Sequence, residues 1–489
     1  MKSVEDRREE ILEGPIIKTL LVLSWPIVIG SMLQTGYNMA DTFWLGRVSE
    51  QALAAPSVAF PLVMVLLSLG MGLATAGISL VSQHTGKGGS EKANESAGQV
   101  FGLLLVISII VGAVGFVSAG WVFRNIIGVP EEVYPLALSY IRIIFLGAPI
   151  TYAFTSFRFI LRGVGDMKTA MYLRAVGVVL NIVLDPLLIL GIGPFPALGV
   201  TGAAIATVTT RGVASAVGIY LLFTGKVGIK LKLYHLKLKM RWVKKIFDIG
   251  LPASGARAGS ALGFVGLITI VSVFGTIPLS AYSIGRRVIQ LVNLGIWGFA
   301  SATMTMVGQN IGAGKTARAE KIVKKTIMVS IVLMVALSII IYIFRAPLVG
   351  IFADEAALEN YTKVMNETAR FVAIFVFAIP FYGLFRIFDS TYRGTGHTKP
   401  AMVLSLTRIM VLRICLSYVL AFSSIPLGFA TLDIGAGLGI VGVWYGMSLS
   451  NIIIAFFSYG YFRTGKWKEK TIEDEKKQDE EEGGPDDDV

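Results

Sequence analysis

Three carboxylate side chains lie inside long apolar stretches of the sequence, at Asp41, Asp185 and Asp389. A charged side chain at the centre of a lipid bilayer costs about 2.5 to 3.5 kcal/mol on insertion scales. Each of the three must therefore have a counter-charge, a water-filled cavity or a proton. A carboxylate in that situation can carry a proton or hold a small cation, so these positions are the first candidates for chemistry.

The sequence around Asp41 and Asp185 adds further oxygen atoms at helical spacing. Tyr37 precedes Asp41 by about one turn in QTGYNMAD, and Asn181 precedes Asp185 by one turn in LNIVLDP. Carboxylate, amide and hydroxyl oxygens suit Na⁺ and equally suit a carboxylate–proton relay. We predict one shared site for H⁺ or Na⁺, formed by Asp41, Asn181 and Asp185. The plain alternative is that each aspartate ends a helix and contacts water.

Five more polar residues of the first half extend this prediction. Tyr140, Thr201 and Thr207 could each add a hydroxyl, and the sequence does not decide between the two threonines. Gln34 and Asn38 share a helix with the first aspartate and are expected to line a substrate cavity. Ordinary helix packing is the alternative for Tyr140 and for the two threonines.

Pro26 stands in the middle of the first apolar run, about four turns before Asp41. Proline removes one backbone hydrogen bond from a helix and permits a bend. A fixed kink is the structural interpretation. The functional prediction is a hinge that responds to protonation of Asp41.

The second half of the chain has arginines where the first half has its polar cluster. Arg408 and Arg413 lie in the eleventh run, and Arg257 lies in the seventh run, which has no matching acid. Asp389 precedes Arg393 by four residues, which predicts an i,i+4 ion pair. Arg408 and Arg413 could bind lipid headgroups, pair with Asp389 or line a cavity. Because buried cations disfavour cationic cargo, we assign cation binding to the first half.

The composition predicts an integral membrane protein. Hydrophobic residues make up 54% of the chain and charged residues 16%, and the mean hydropathy is +0.69. A spanning helix needs about 20 mostly apolar residues. Cys415 is the single cysteine, which excludes an intrachain disulfide. We also expect no cleavable signal peptide. The predicted helices cover 16–45, 53–82, 97–123, 134–160, 169–192, 199–224, 246–275, 281–309, 322–344, 362–391, 400–422 and 437–462.

Positive charge is concentrated before the first run and after each even-numbered run. This bias predicts that both termini are cytoplasmic and that the loops meet anionic lipid headgroups. It also accounts for the net charge of +12 without nucleic acid. Residues 226–245 form a basic cytoplasmic connection, either lying on the inner membrane surface or forming a solvated tether. Residues 466–489 are expected to form a disordered acidic tail.

The sequence repeats weakly at a spacing of about 230 residues. VSQHTGKGGSEKA from Val81 aligns with VGQNIGAGKTARA from Val307, and ILRGVGDMKTAM aligns with STYRGTGHTKPAM. We predict an all-α fold with two pseudo-symmetric six-helix lobes, residues 1–225 and 246–465, around a central cavity. GAGKT resembles a phosphate-binding loop, but its spacing fails, which argues against an ATP-driven pump. We expect a transporter and not an enzyme.

These features together resemble the MATE multidrug and toxin extrusion transporters, and among them the archaeal DinF-type branch. The resemblance is carried by the pattern P-x₇-Q-x₂-YN-x₂-D from Pro26 to Asp41, by LNIVLDP and by the VGQNIGAGK-type turns. It implies that Asp41, Asn181 and Asp185, with Tyr37 and Tyr140, couple entry of H⁺ or Na⁺ to drug export. The seventh-helix acid of the NorM-type branch is missing in this sequence.

We therefore expect a secondary active antiporter of the cell membrane that exports organic cations in exchange for H⁺ or Na⁺ by alternating access. It should need no cofactor and should function as a monomer. One rival is a lipid-linked oligosaccharide flippase of the same superfamily, in which Arg257, Arg408 and Arg413 would bind a pyrophosphate. A channel or receptor is a second rival, which the paired lobes and buried acids favour less.

Overall fold

A computed structural model describes residues 3–352, 360–426, 431–432 and 435–469 of the chain. Most of the predicted acidic tail, from residue 470 onward, lies outside the described residues. The described residues are almost entirely helical, and the exception is a pair of two-residue strands, Ile425–Pro426 and Thr431–Leu432.

Within the described residues, eleven helices are long and apolar enough to cross a membrane, and a bent helix pair supplies a twelfth crossing. The predicted all-α membrane fold is confirmed. The helices are α1 (Val4–Leu12), α2 (Ile16–Leu45), α3 (Glu50–Lys87), α4 (Ser90–Val122), α5 (Tyr134–Leu146), α6 (Ala148–Gly163), α7 (Met167–Leu190), α8 (Gly199–Thr224), α9 (Met240–Ser272), α10 (Thr276–Gly312), α11 (Thr316–Ile343), α12 (Arg345–Gly350), α13 (Tyr361–Phe375), α14 (Ile379–Gly394), α15 (Thr398–Leu406), α16 (Ile414–Ala421) and α17 (Ile440–Arg463).

Helix ends run beyond the predicted apolar stretches because polar residues cap them. Helix α3 begins after Ser49, whose side-chain oxygen accepts a hydrogen bond from the amide of Ala52 at 3.0 Å. It continues through polar residues to Lys87 and ends at Gly88, which has a left-handed φ of 82°. Hydropathy marks where a helix meets lipid, and capping marks where it stops.

The fourth crossing is not the single helix predicted from 134 to 160. It consists of α5 and α6, which meet at an angle of 52°. Gly147 separates the two helices, and Pro149, at the second position of α6, has no amide hydrogen to continue α5. A Cβ atom on Gly147 would lie 2.5 Å from a methyl group of Val208, so only glycine fits at the bend.

Helix α1 was not predicted, because it is too short and polar for a membrane span. Ser3 caps it through a reciprocal pair of hydrogen bonds with Asp6. Arg7 forms an ion pair with Asp166 at 3.3 Å, and Arg8 donates two hydrogen bonds to the carbonyl of Gly86. These contacts hold α1 against the polar ends of the neighbouring crossings.

The basic connection that begins at residue 226 packs against α4. Buried Val227, Ile229 and Leu231 alternate with exposed lysines along its first part. The side chain of Gln99 donates hydrogen bonds to the carbonyls of His235 and Lys237, at 2.9 and 2.7 Å. The solvated-tether alternative is therefore wrong for this part of the connection, while its contact with lipid headgroups stays a prediction.

The chain forms two compact units. The first contains the residues up to Gly255 together with Gly308–Lys315, and the second contains Ala256–Val307 and Thr316–Glu469. In the first unit α2 packs along α7, and α7 packs along α8. The core of the second unit is aromatic, with the ring of Phe371 4.6 Å from that of Trp444.

The two copies of the repeated turn contact each other within the first unit. A Cβ atom on Gly86 would lie 1.9 Å from the carbonyl oxygen of Gln309, and a Cβ on Gly312 would lie 2.0 Å from that of Gln83. The two contacts are reciprocal, since Gln83 corresponds to Gln309 and Gly86 to Gly312 in the repeat, in both cases at a spacing of 226 residues. The glycines of both turns are therefore required by close backbone approach.

Replacing Gly86 by Ala is expected to lower the free energy of unfolding by about 1 to 3 kcal/mol, because the added methyl group overpacks a backbone contact. Thermal unfolding of the purified protein measures the effect. Gly460→Ala is the matched control, since a Cβ there meets nothing within 4 Å. Equal unfolding temperatures for the two variants would contradict the contact.

Candidate functional site

The helices α2 and α7 bring the predicted carboxylates together. Asp41 lies four residues before the end of α2, and Asp185 lies five residues before the end of α7. The carboxyl groups are neighbours, close enough for each to act electrostatically on the other. The side-chain amide of Asn181 donates a hydrogen bond of 3.0 Å to Asp185, and both residues are fully buried.

Three oxygen atoms of this cluster are buried without a hydrogen-bond partner among the described residues. They are one carboxylate oxygen each of Asp41 and Asp185 and the amide oxygen of Asn181. A buried polar atom left without a partner costs about 1 to 3 kcal/mol. A proton shared between the carboxylates would remove part of this cost, and so would a Na⁺ ion bound by the three oxygens. Elsewhere in the described chain, no three His, Cys, Asp or Glu side chains converge on a possible metal site.

Tyr37 and Thr207 belong to the wall beside this cluster. Their hydroxyl groups share a hydrogen bond of 2.5 Å, and both side chains are buried. The hydroxyl of Thr201 instead donates a long hydrogen bond of 3.4 Å to Ser139. Of the two threonines that the sequence left open, the structure places Thr207 at the site.

Thr207→Val is expected to destabilise the protein by about 1 to 3 kcal/mol, because it leaves the buried hydroxyl of Tyr37 without a partner. Thr201→Val is the isosteric control and should change the unfolding temperature little, since its hydrogen bond is long and half-buried. Thermal unfolding of both variants tests the difference. A larger effect from Thr201→Val would show that the hydroxyl pair does not contribute as described.

Asp41 faces a cavity of about 740 Å³ inside the first unit. This is within the range of pockets for drug-sized molecules, about 300 to 1,000 Å³. Gln34, Asn38 and Tyr140 line it, and the side chain of Gln34 donates a hydrogen bond to Asn38 at 3.0 Å. Phe60, Met64 and Met71 supply an apolar wall. The cavity thus combines a carboxylate, polar groups and adaptable apolar side chains.

Three arginines that the sequence analysis did not single out line the same cavity. Arg158 lies on α6, Arg174 on α7 and Arg211 on α8. All three stand inside predicted apolar runs, and a search for arginines as well as acids in those runs would have found them. Within the described residues, none of them has a carboxylate within 4 Å.

Pro26 is buried inside α2, which is continuous from Ile16 to Leu45. One turn later, the guanidinium of Arg174 donates a hydrogen bond of 2.8 Å to the carbonyl of Gly30. Arg174 therefore ties α7 to α2 just beyond the proline. The hinge at Pro26 stays a prediction.

In the second unit, the predicted ion pair of Asp389 with Arg393 is confirmed at 2.9 Å, and Arg386 adds a second pair at 3.1 Å. Arg408 and Arg413 do not pair with this carboxylate. Both donate to the side-chain oxygen of Asn451 instead, at 3.2 and 3.0 Å.

The set of three intramembrane acids was incomplete, because the predicted runs 246–275 and 362–391 also contain Asp248 and Glu367. Asp248 lies within α9 and Glu367 within α13, each about two turns from the start of its helix. Glu367 accepts a hydrogen bond of 2.8 Å from the indole nitrogen of Trp444. Its other carboxylate oxygen pairs with Arg370 at 3.3 Å, so both oxygens have protein partners, which indicates a structural position rather than a second ion site.

A family model described as MatE matches the chain twice, at residues 26–187 and 252–419. The two matches correspond to the two halves of the internal repeat. Together they cover more than half of the 489 residues.

Similar proteins cover nearly the whole chain. A probable multidrug resistance protein of Bacillus subtilis, YpnP, is 27% identical over 96% of this chain and 99% of its own. An FAD transporter of Shewanella oneidensis is 25% identical over 84% of this chain and 89% of its own. A solved MOP superfamily transporter from Pyrococcus furiosus, reported as having a binding pocket of reverse polarity, has 25% identity and a TM-score of 0.85, covering 96% of this chain and 99% of its own. This chain belongs to the MATE family and is a multi-pass membrane transporter.

Proposed function

We propose that the chain is a secondary active exporter that exchanges H⁺ or Na⁺ for an organic compound. The observation that carries this proposal is the cluster of Asp41, Asn181 and Asp185, whose buried oxygens lack partners on two adjoining membrane helices. Buried oxygens without partners raise the free energy of the empty site, and binding of a proton or Na⁺ lowers it. Ion entry can therefore release free energy where cargo is bound nearby.

Alternating access would couple the entry of the ion to the export of the cargo. Two neighbouring carboxylates repel each other when both are ionised, and a bound proton or Na⁺ removes that repulsion. Ion binding from outside would release the cargo and bend α2 near Pro26, and ion release inside would let new cargo bind. The membrane potential contributes about 2.3 kcal/mol per charge per 100 mV, so one or two ions suffice for useful accumulation.

Arg174 gives the proposed bend a physical link to the cavity. Its hydrogen bond to the carbonyl of Gly30 spans from α7 to the segment of α2 just after Pro26. A bend at Pro26 would move or break that bond and so displace a side chain that lines the cavity. Ion binding at Asp41 and a change in cargo affinity can then be two consequences of one helix movement.

Relatives named as multidrug resistance proteins support export of small organic compounds. The organic cations predicted from the sequence stay a prediction, since the cavity also presents three arginines to its cargo. The flippase alternative is not favoured by these relatives. We further propose that the chain acts as a monomer, that both termini are cytoplasmic, and that it belongs to the archaeal DinF-type branch.

Gradient-driven efflux from proteoliposomes tests the proposal. Vesicles with the purified full chain are loaded with ethidium or with riboflavin 5′-phosphate, and a pH or Na⁺ gradient is then imposed. The proposal expects faster efflux of at least one compound under at least one gradient than with no gradient. Efflux that ignores both gradients would overturn ion coupling.

A further inference from the structure

The arginines of the first-unit cavity form a wall with surplus positive charge. Arg174 and Arg211 also line a smaller cavity that adjoins the first one. Arg174 donates to a backbone carbonyl at 2.8 Å, Arg211 reaches the hydroxyl of Thr151 at 3.5 Å, and Arg158 lies 5.0 Å from the ring of Phe154. None of these partners is negatively charged.

This arrangement is expensive unless an anion completes it. Arginine stays protonated inside proteins, so three guanidinium groups retain their charge in the membrane interior. Asp41 lines the same cavity and Asp185 lies beside Asp41, but two carboxylates cannot neutralise three cations. The cavity therefore keeps a positive surplus in either state of Asp41.

We infer that Arg158, Arg174 and Arg211 bind the phosphate group of an amphipathic organic cargo. This inference deepens the proposed export function and rests on it for the direction of transport. The planar guanidinium presents paired donors that match phosphate oxygens, which favours arginine over lysine for such a group. Phe60, Met64 and Met71 offer an apolar surface for an aromatic or aliphatic body.

The phosphate and the coupling ion can occupy the protein at the same time. The arginines lie on α6, α7 and α8, whereas the ion site lies on α2 and α7. Exchange would then depend on the movement of α2 rather than on competition for one charged group.

A pair of matched probes tests the binding site without any gradient. Riboflavin 5′-phosphate and riboflavin share the same fluorescent ring and differ in the phosphate. Titrated against the purified full chain in zwitterionic nanodiscs, the phosphate form should bind about 100-fold more tightly. Pyrophosphate should displace it from the wild-type protein. Equal affinity of the two probes would overturn the inference.

Substitution then assigns the site. Arg158→Gln, Arg174→Gln and Arg211→Gln should each weaken binding of riboflavin 5′-phosphate by about 10- to 100-fold and leave riboflavin unchanged. Arg142→Gln is the matched control, because Arg142 is a half-buried membrane arginine stacked on Phe116 and lies outside the lining of the cavity. A loss as large in Arg142→Gln as in the other three would overturn the assignment. Pyrophosphate competition on the wild-type chain keeps the test decisive if a variant does not fold.

The phosphate could also belong to a lipid, and a second arm separates the sources. Nanodiscs containing phosphatidate are compared with zwitterionic ones. Arginine-dependent binding of phosphatidate with none of the soluble probe would assign the site to a lipid phosphate. Phosphate-dependent binding with no gradient-driven efflux would refute the exporter and leave the site standing. Ethidium efflux with no binding of riboflavin 5′-phosphate or of phosphatidate would refute the phosphate site and leave the exporter standing.

Discussion

Asp41→Asn will abolish gradient-driven efflux, with an initial rate at least about 100-fold below that of the wild type. The amide cannot take up a proton or supply a charged ligand to Na⁺, so the exchange cycle loses its driving ion. The rate is measured in proteoliposomes under the gradient that drives the wild-type protein. Glu50→Gln is the control, because it makes the same acid-to-amide change at an exposed position near the start of α3.

The folded state of Asp41→Asn should be at least as stable as that of the wild type. Neutralising one of two neighbouring carboxylates removes their repulsion, and the amide fits the same space. A thermal unfolding curve therefore separates loss of coupling from loss of structure. If Asp41→Asn transports at the wild-type rate, the coupling ion binds elsewhere.

Asp389→Asn should have the largest effect on stability, a loss of about 3 to 5 kcal/mol. Asp389 is 2% exposed and pairs with both Arg386 and Arg393, which are themselves largely buried. Removing one partner of a buried ion pair leaves uncompensated charge, which costs far more than the pair contributes. The measurement is the unfolding temperature of the purified protein.

The control for this effect is Glu320→Gln. Glu320 pairs with Lys324 and Lys468, whose side chains are 66% and 38% exposed, so its loss should cost less than about 1 kcal/mol. Similar destabilisation by the two substitutions would mean that solvent or lipid headgroups compensate Arg386 and Arg393.

The number and order of the membrane helices could be predicted because an apolar run of sufficient length has few alternatives in a bilayer. The bend between α5 and α6 was missed although Gly147 and Pro149 stand in the sequence, because a hydropathy pattern takes account of neither residue. Helix α1 was missed for a different reason. It is stabilised by capping and by ion pairs such as Arg7 with Asp166, and neither leaves a hydropathy signal.

The aspartates of the site could be predicted because ionisable side chains are rare in apolar stretches. Asp41 and Asp185 stand out in apolar runs, and each has an oxygen-bearing side chain one turn earlier, which led to the prediction of one shared site. The arginines were equally conspicuous but were weighed only in the second half of the chain. That asymmetry favoured a cationic cargo, whereas Arg158, Arg174 and Arg211 give the first-unit cavity a positive surplus.

The most direct test of ion coupling is to measure the ion while only the cargo has a gradient. Proteoliposomes carrying the wild type, Asp41→Asn or Asp185→Asn are given a gradient of a transported compound, and H⁺ or ²²Na⁺ movement is followed. The account predicts opposite movement of one of these ions with the wild type and none with either variant. Cargo transport by the wild type with no movement of either ion, or undiminished ion flux in both variants, would contradict it.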